Sequence, residues 1–158
     1  MRRLILASHG SLAKGMKSAV KMIAIDDSRI EDYNLDDYVS PYEIKVEIET
    51  EIQHFQTDEF ILITDIKGGS VFNELIKLCI YPNVTLISVM FLPLVLEIAV
   101  SLDNDQNSFD LMSTIMSLAL KTCEIFDGNR LEKMLQKERE EGFQFNFSSR
   151  QETEKGGK

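Results

Sequence analysis

Short, continuous apolar runs alternating with amphipathic segments predict an α/β fold, with a mostly parallel sheet covered by helices on both faces. The runs Leu4-Ile5-Leu6-Ala7-Ser8, Phe60-Ile61-Leu62-Ile63 and Val84 to Met90 have the length of buried strands, and each precedes residues with helical spacing. Parallel neighbours need crossover helices, which gives a three-layer α/β/α architecture. With 158 residues, 44% of them hydrophobic and 27% charged, the chain is long enough for one folded core and too apolar for general disorder.

After His9-Gly10, Ser11 is the N-cap of a helix over 11–24 on which Met16, Ala19, Val20 and Ile23 recur at helical spacing. Asp26-Asp27-Ser28 ends that pattern, and residues 30–35 read as a short strand before a second acidic turn. Ser40-Pro41-Tyr42-Glu43 is a capping box with proline at the first helical position; it opens a helix over 41–55 with Ile44, Ile48, Ile52 and Phe55 on one face. The second buried strand closes at Thr64-Asp65, and Lys67-Gly68-Gly69-Ser70 leads into a helix with Phe72, Leu75, Ile76 and Cys79 inward. Pro93 opens a short helix carrying Leu94, Val95 and Ile98, and Ser108 caps a longer one with Leu111, Ile115, Leu118 and Ile125. Residues 1–127 thus form the folded domain, followed by a charged extension, 128–158. In the extension, 129–141 read as a solvated helix with a thin Leu131, Met134, Leu135 stripe. Phe143-Gln144-Phe145-Asn146-Phe147 alternates at period two, the pattern of an antiparallel edge strand with one buried face, and 148–158 are a frayed tail.

A net charge of −9 without a basic stripe argues against nucleic-acid binding and suits basic protein partners. Met1-Arg2-Arg3 followed by a five-residue strand is too short for a signal peptide, and no apolar run approaches the roughly 20 residues that span a bilayer, so a cytoplasmic protein is expected. Cys79 and Cys123 lack CxxC spacing and read as reduced structural thiols on helices. Asp36-Asp37 and Asp103-Asn104-Asp105 lack the spacing of a calcium loop and read as solvated turns; neither a metal nor a cofactor is expected.

The chemistry concentrates at strand ends. His9 follows the first strand and Asp65 the second apolar one, each before a glycine-containing turn and a helix N-terminus. In a sheet ordered 2-1-3-4 the crevice between strands one and three is the switch point, where α/β proteins bind ligands. Asp65 would accept the Nδ1–H of His9, fixing the tautomer that leaves the Nε2 lone pair free to attack an electrophile. The amides of Gly68, Gly69 and Ser70, with Gly10 and Ser11 opposite, could cradle a phosphoryl group, helped by the Ser70 hydroxyl. His54, on a helix face, reads as structural, and Lys67 as a solvated loop residue.

At these residues the chain resembles the mannose-family enzyme IIA domains of the bacterial phosphoenolpyruvate-dependent sugar phosphotransferase system, over residues 3–127. The matching pieces are Ile5-Leu6-Ala7-Ser8-His9-Gly10 with Leu12-Ala13 and Gly15, Thr64-Asp65 with Gly68-Gly69-Ser70 and Phe72-Asn73, Leu92-Pro93 near Glu97, and Ser108-Phe109-Asp110. The resemblance implies a phosphotransferase in which His9 is the phosphohistidine, loaded by the carrier HPr and unloaded to a IIB component for sugar uptake, with Asp65 orienting the ring. It also implies a four-stranded parallel sheet in 2-1-3-4 order and a homodimer exchanging a C-terminal antiparallel strand, for which 143–147 is the candidate. Membrane contact would be indirect, through IIC and IID components. Val71 departs from the family's usual proline, Phe91 from a common asparagine, and Lys67 from a frequent apolar residue. No IIB-like domain is read in the charged tail, which fits a free-standing IIA protein.

Other readings are weaker. The phosphocarrier subunit of dihydroxyacetone kinase shares the fold, and a regulatory protein could sense His9 phosphorylation without passing it on. Tetrapyrrole metal chelatases need a second histidine near the first, and only His54 is available. Histidine phosphatases carry arginine where Ser8 stands.

Overall fold

Successive side chains of a strand point to opposite faces, so a strand whose every residue is apolar must be covered on both. In β1 (Arg2–Ser8), Leu4 and Leu6 join one buried cluster while Ile5 and Ala7 join the other; in β3 (Glu59–Thr64), Ile61 and Ile63 divide from Phe60 and Leu62 in the same way. A computed structural model describes residues 1–141. The remaining elements are α1 (Leu12–Ile23), β2 (Ile30–Asn34), a 3₁₀ turn (Leu35–Asp37), α2 (Pro41–His54), α3 (Ser70–Leu75) with a 3₁₀ continuation (Ile76–Ile80), β4 (Val84–Ile87), α4 (Leu92–Val100), α5 (Ser108–Leu120) and α6 (Gly128–Glu141).

The four strands are all parallel, in the order β2-β1-β3-β4. Ala13 and Val20 of α1, Leu94, Val95, Ile98 and Ala99 of α4 and Leu111, Met112, Ile115 and Ala119 of α5 cover one face. Ile44, Ile48 and Ile52 of α2 with Val71 and Leu75 of α3 cover the other. This is the expected α/β/α sandwich. The register pairs Ser8 with Asn34 and Ala7 with Thr64, so the ends of β1, β2 and β3 lie side by side and His9 and Asp65 leave the sheet together.

The opposite end of the sheet is tied by charge. Buried Arg2 donates to Glu59 (2.6 Å), to Ser108 Oγ (3.0 Å) and to the backbone carbonyls of Asn104 and Gln106, which fixes the loop before α5. Arg3 donates to Asp58 (2.9 Å) and stacks over the Phe55 ring, 3.8 Å from its centroid.

Several local expectations need correcting. Ser11 and Ser40 make no side-chain cap; Glu43 still reaches back to the Val39 amide (3.0 Å), one residue before the expected box. Asn107, not Ser108, caps α5, because Ser108 turns inward to Arg2 and Glu59. The inward phase after Gly69 runs through Val71, Leu75 and Leu78. That face begins at Val71, one residue earlier than expected, so Phe72 is only half-buried and Ile76 and Cys79 are exposed. Ile23 lies at the exposed end of α1, and Leu118 and Ile125 are exposed as well; α5 stops at Leu120. β4 ends at Ile87 rather than Met90, and Cys123 follows α5 as a second exposed free thiol.

Contacts divide the chain into one compact unit, Met1–Cys123, and a second beginning at Glu124. In the second, α6 carries Leu131, Met134 and Leu135 half-exposed, as a solvated helix would. The strand expected at 143–147 and the tail at 148–158 lie outside the described residues.

Candidate functional site

His9 emerges from β1 into a turn that glycine continues without strain, because Gly10 has φ +53°. One carboxylate oxygen, Asp65 Oδ2, accepts both the His9 backbone N–H (2.9 Å) and the ring Nδ1–H (2.8 Å). The other oxygen accepts the Ile66 amide (2.9 Å), so the carboxylate cannot rotate without losing a partner. Its side chain is 12% exposed and the imidazole 41%. With the proton held on Nδ1, Nε2 is left as the acceptor, and the Ser70 hydroxyl donates to it at 2.9 Å. The histidine therefore offers a single nucleophilic nitrogen at the surface, backed by an anion that stabilises positive charge on the ring.

The loop across the crevice is shaped by its glycines. Gly68 sits at φ +80°, a conformation glycine adopts at no steric cost. Gly69 has an ordinary backbone, yet a Cβ there would lie 2.9 Å from His9 Cε1 and 2.9 Å from Ile66 Cγ2. Its amide is bonded to Ile66 O (3.3 Å), so Gly69 serves the site by close approach rather than as a free donor. No side chain caps the first turn of α3, where Ser70 stands. His9, Gly10, Asp65, Gly69 and Ser70 are thus brought together. Lys67 is exposed in the loop, and His54 stands on the surface at the end of α2, edge-on to Phe55.

On the β1 side, α1 is held from behind. Ser8 Oγ accepts the Ala13 amide (2.7 Å) and Asn34 Oδ1 the Lys14 amide (2.9 Å), two of the donors a helix leaves unsatisfied at its start. Neither residue stood out in the sequence, because a serine or asparagine ending a strand also reads as a turn. Asn34 Nδ2 donates to Asp32 (2.8 Å), which pairs with Lys17 (3.0 Å). Burial pushes the Asp32 carboxyl up, and those two partners outweigh it, leaving it below the usual carboxylate range. Asp36, read as part of a solvated turn, places Oδ2 3.8 Å from where a Cβ on Gly10 would be. Of the three family departures, Val71 is fully buried on the inner face of α3, Phe91 packs half-buried at the start of α4, and Lys67 faces solvent. Among the described residues, no group of three or more His, Cys, Asp or Glu is placed to hold a metal, and no helix is long and apolar enough to cross a membrane.

The sequence matches the family model described as PTS system fructose IIA component over residues 3–116. Among solved structures, a Klebsiella pneumoniae protein described as a phosphoenolpyruvate-dependent sugar phosphotransferase system permease is 31% identical, with TM-score 0.68, covering 78% of this chain and 90% of its own. The phosphotransferase system component EIIA from Streptococcus agalactiae superposes with TM-score 0.72 at 22% identity, over 80% of this chain and 98% of its own. The mannose/sorbose specific IIA subunit from Enterococcus faecalis gives TM-score 0.65 at 21% identity, over 80% and 95%. The last two similarities speak for the fold alone. No curated protein sequence matches the chain.

Proposed function

This chain belongs to the family of phosphotransferase-system fructose IIA components, the phosphoryl carriers of sugar uptake, and we propose that His9 is the residue that carries the phosphoryl group. The observation supporting this most directly is the double hold of Asp65 Oδ2 on His9, which leaves Nε2 as the one ring nitrogen able to attack. In the proposed step the Nε2 lone pair attacks the phosphorus of a phosphohistidine on HPr. The donor's P–N bond breaks, and its electron pair returns to the donor imidazole. Asp65 keeps the proton on Nδ1 and balances the charge that develops on the ring. Ser70, which donates to Nε2 in the resting site, would donate to a phosphoryl oxygen once Nε2 is bonded, with the amides of Gly10, Ser11 and Gly68 as the further proposed donors. The reverse sequence passes the group to a IIB component, so HPr and IIB are the proposed partners. The protein would work in the cytoplasm, touching the membrane only through IIC and IID.

The proposal extends to a homodimer. β4 is an edge strand of the sheet, and pairing with 143–147 of a second copy would cover it. The test of the carrier reading is radiolabel transfer from phosphoenolpyruvate through enzyme I and HPr. Acid-labile label is expected on the native protein and on His54→Ala, to be lost with His9→Ala and to pass on to the cognate IIB. Equal labelling of His9→Ala would overturn it, and label retained in the presence of IIB would favour a phosphorylation sensor.

A further inference from the structure

We propose that Asn34 is a positioning residue for phosphoryl transfer, holding the turn that carries His9 through the first turn of α1. The inference rests on the phosphocarrier reading but concerns a third strand, β2, which contributes nothing to the reacting atoms. Asn34 is 3% exposed, and a buried amide must have its donors and acceptor satisfied. Here the partners lie on separate elements: Oδ1 accepts the Lys14 amide of α1, and Nδ2 donates to Asp32 of its own strand. Asp32 is held in turn by Lys17, one helical turn further along α1. The side chain therefore closes a loop of contacts from β2 to two successive turns of α1.

Asn34 is also the register partner of Ser8, whose hydroxyl takes the neighbouring Ala13 amide. Between them these two strand-end residues fix the helix start, in place of the absent Ser11 cap. The turn from His9 to Ser11 is then anchored at both ends, by Asp65 on the His9 amide and by Ser8 and Asn34 on α1. Gly10 at φ +53° gives that turn its freedom, so without the second anchor the ring can drift while its bond to Asp65 survives. A shift near 1 Å at a reacting group is enough to cost roughly a hundredfold in rate.

The test measures single-turnover phosphorylation of His9 on the full chain, with phospho-HPr and separately with phosphoramidate, a small donor that needs no protein surface. Asn34→Ala is expected to lower the maximal rate by about tenfold or more with both donors, while the concentration of phospho-HPr giving half the maximal rate stays the same. Exchanging the partners, Asn34→Asp together with Asp32→Asn, keeps an acceptor for Lys14 and restores the donor–acceptor pair. It should return the rate to within about threefold of native, which general loosening of the fold would not explain. Should Asn34→Ala fail to fold, Asn34→Asp alone, with two carboxylates face to face, is compared with the exchanged pair. Native rates in folded Asn34→Ala, or equal rates in Asn34→Asp and the exchanged pair, overturn the proposal. Failure of the phosphocarrier reading shows separately, as native protein that phospho-HPr does not label; phosphoramidate still tests the positioning.

Discussion

Gly69→Ala adds one methyl group at the point where the two loops of the site come closest. The backbone there, φ −68° and ψ 165°, suits alanine, so steric contact alone decides the outcome. The new Cβ would lie 2.9 Å from both His9 Cε1 and Ile66 Cγ2. Carbon atoms rest at about 3.5–4.0 Å, so ring and methyl must each retreat by roughly 0.6–1 Å, or the loop must lift by as much. Reduced freedom of the unfolded chain favours alanine by about 0.4–1 kcal/mol, against about 1–3 kcal/mol for overpacking, which leaves a net change between about zero and a loss of about 2.6 kcal/mol. The larger effect falls on function. A ring displaced by that distance loses its alignment with Asp65 and Ser70, and rapid-quench phosphorylation by phospho-HPr should slow about 10- to 100-fold. Gly15→Ala in α1 is the control: its methyl meets nothing within 4 Å on a helical backbone, so urea denaturation should register a gain of about 0.5–1 kcal/mol while the transfer rate stays near native. A folded Gly69→Ala protein transferring at the native rate would refute close packing of the loop on His9 as a requirement.

Four further outcomes are expected. Asp65→Asn should keep the fold but slow transfer by about a hundredfold, with ring ¹⁵N shifts showing the proton no longer confined to Nδ1; native rates with an unchanged tautomer would dismiss the pairing. Glu31 titrates above the ordinary glutamate range because of burial and neighbouring Glu51. Its folded form binds the proton more tightly, so stability declines as pH rises from the unfolded value through the folded one. Glu31→Gln should accordingly gain about 1 kcal/mol at neutral pH and nothing at pH 3, read by denaturant titration. Burial pushes the Asp58 carboxyl up, but Arg3 and the N-terminal ammonium outweigh it and hold it below the usual range. Its stabilisation is present above the unfolded value near 3.9 and fades as pH falls through the folded one, and Asp58→Asn should cost about 2–4 kcal/mol at pH 7. For the proposed exchanged strand, cutting after Asp127 should yield a monomer by light scattering and cutting after Ser149 should not; one mass for all three chains would eliminate exchange through 143–147.

The sheet was legible because Leu4 to Ala7 and Phe60 to Ile63 are apolar at every position, a pattern that only strands buried on both faces need. His9 and Asp65 were legible because strand ends followed by glycine turns have few other uses in such a sheet. Side-chain roles that depend on a distant partner were not. Ser108 scans as a cap in the chain, but buried Arg2, far away in sequence, draws its hydroxyl inward and leaves the cap to Asn107. The inner face after Gly69 starts at Val71 rather than Phe72, a one-residue offset that a run apolar at both positions does not decide. Asn34 becomes a cap of α1 only because β2 pairs beside β1.

The site on Nε2 of His9 is open to direct observation. In the phosphorylated protein, labelled with ¹⁵N in its histidines, a one-bond ³¹P–¹⁵N coupling reports which ring nitrogen carries phosphorus. With Asp65 holding the proton on Nδ1, the coupling should appear on Nε2 of His9 and vanish in His9→Ala. Coupling to Nδ1 of His9, or to either nitrogen of His54, would contradict the mechanism.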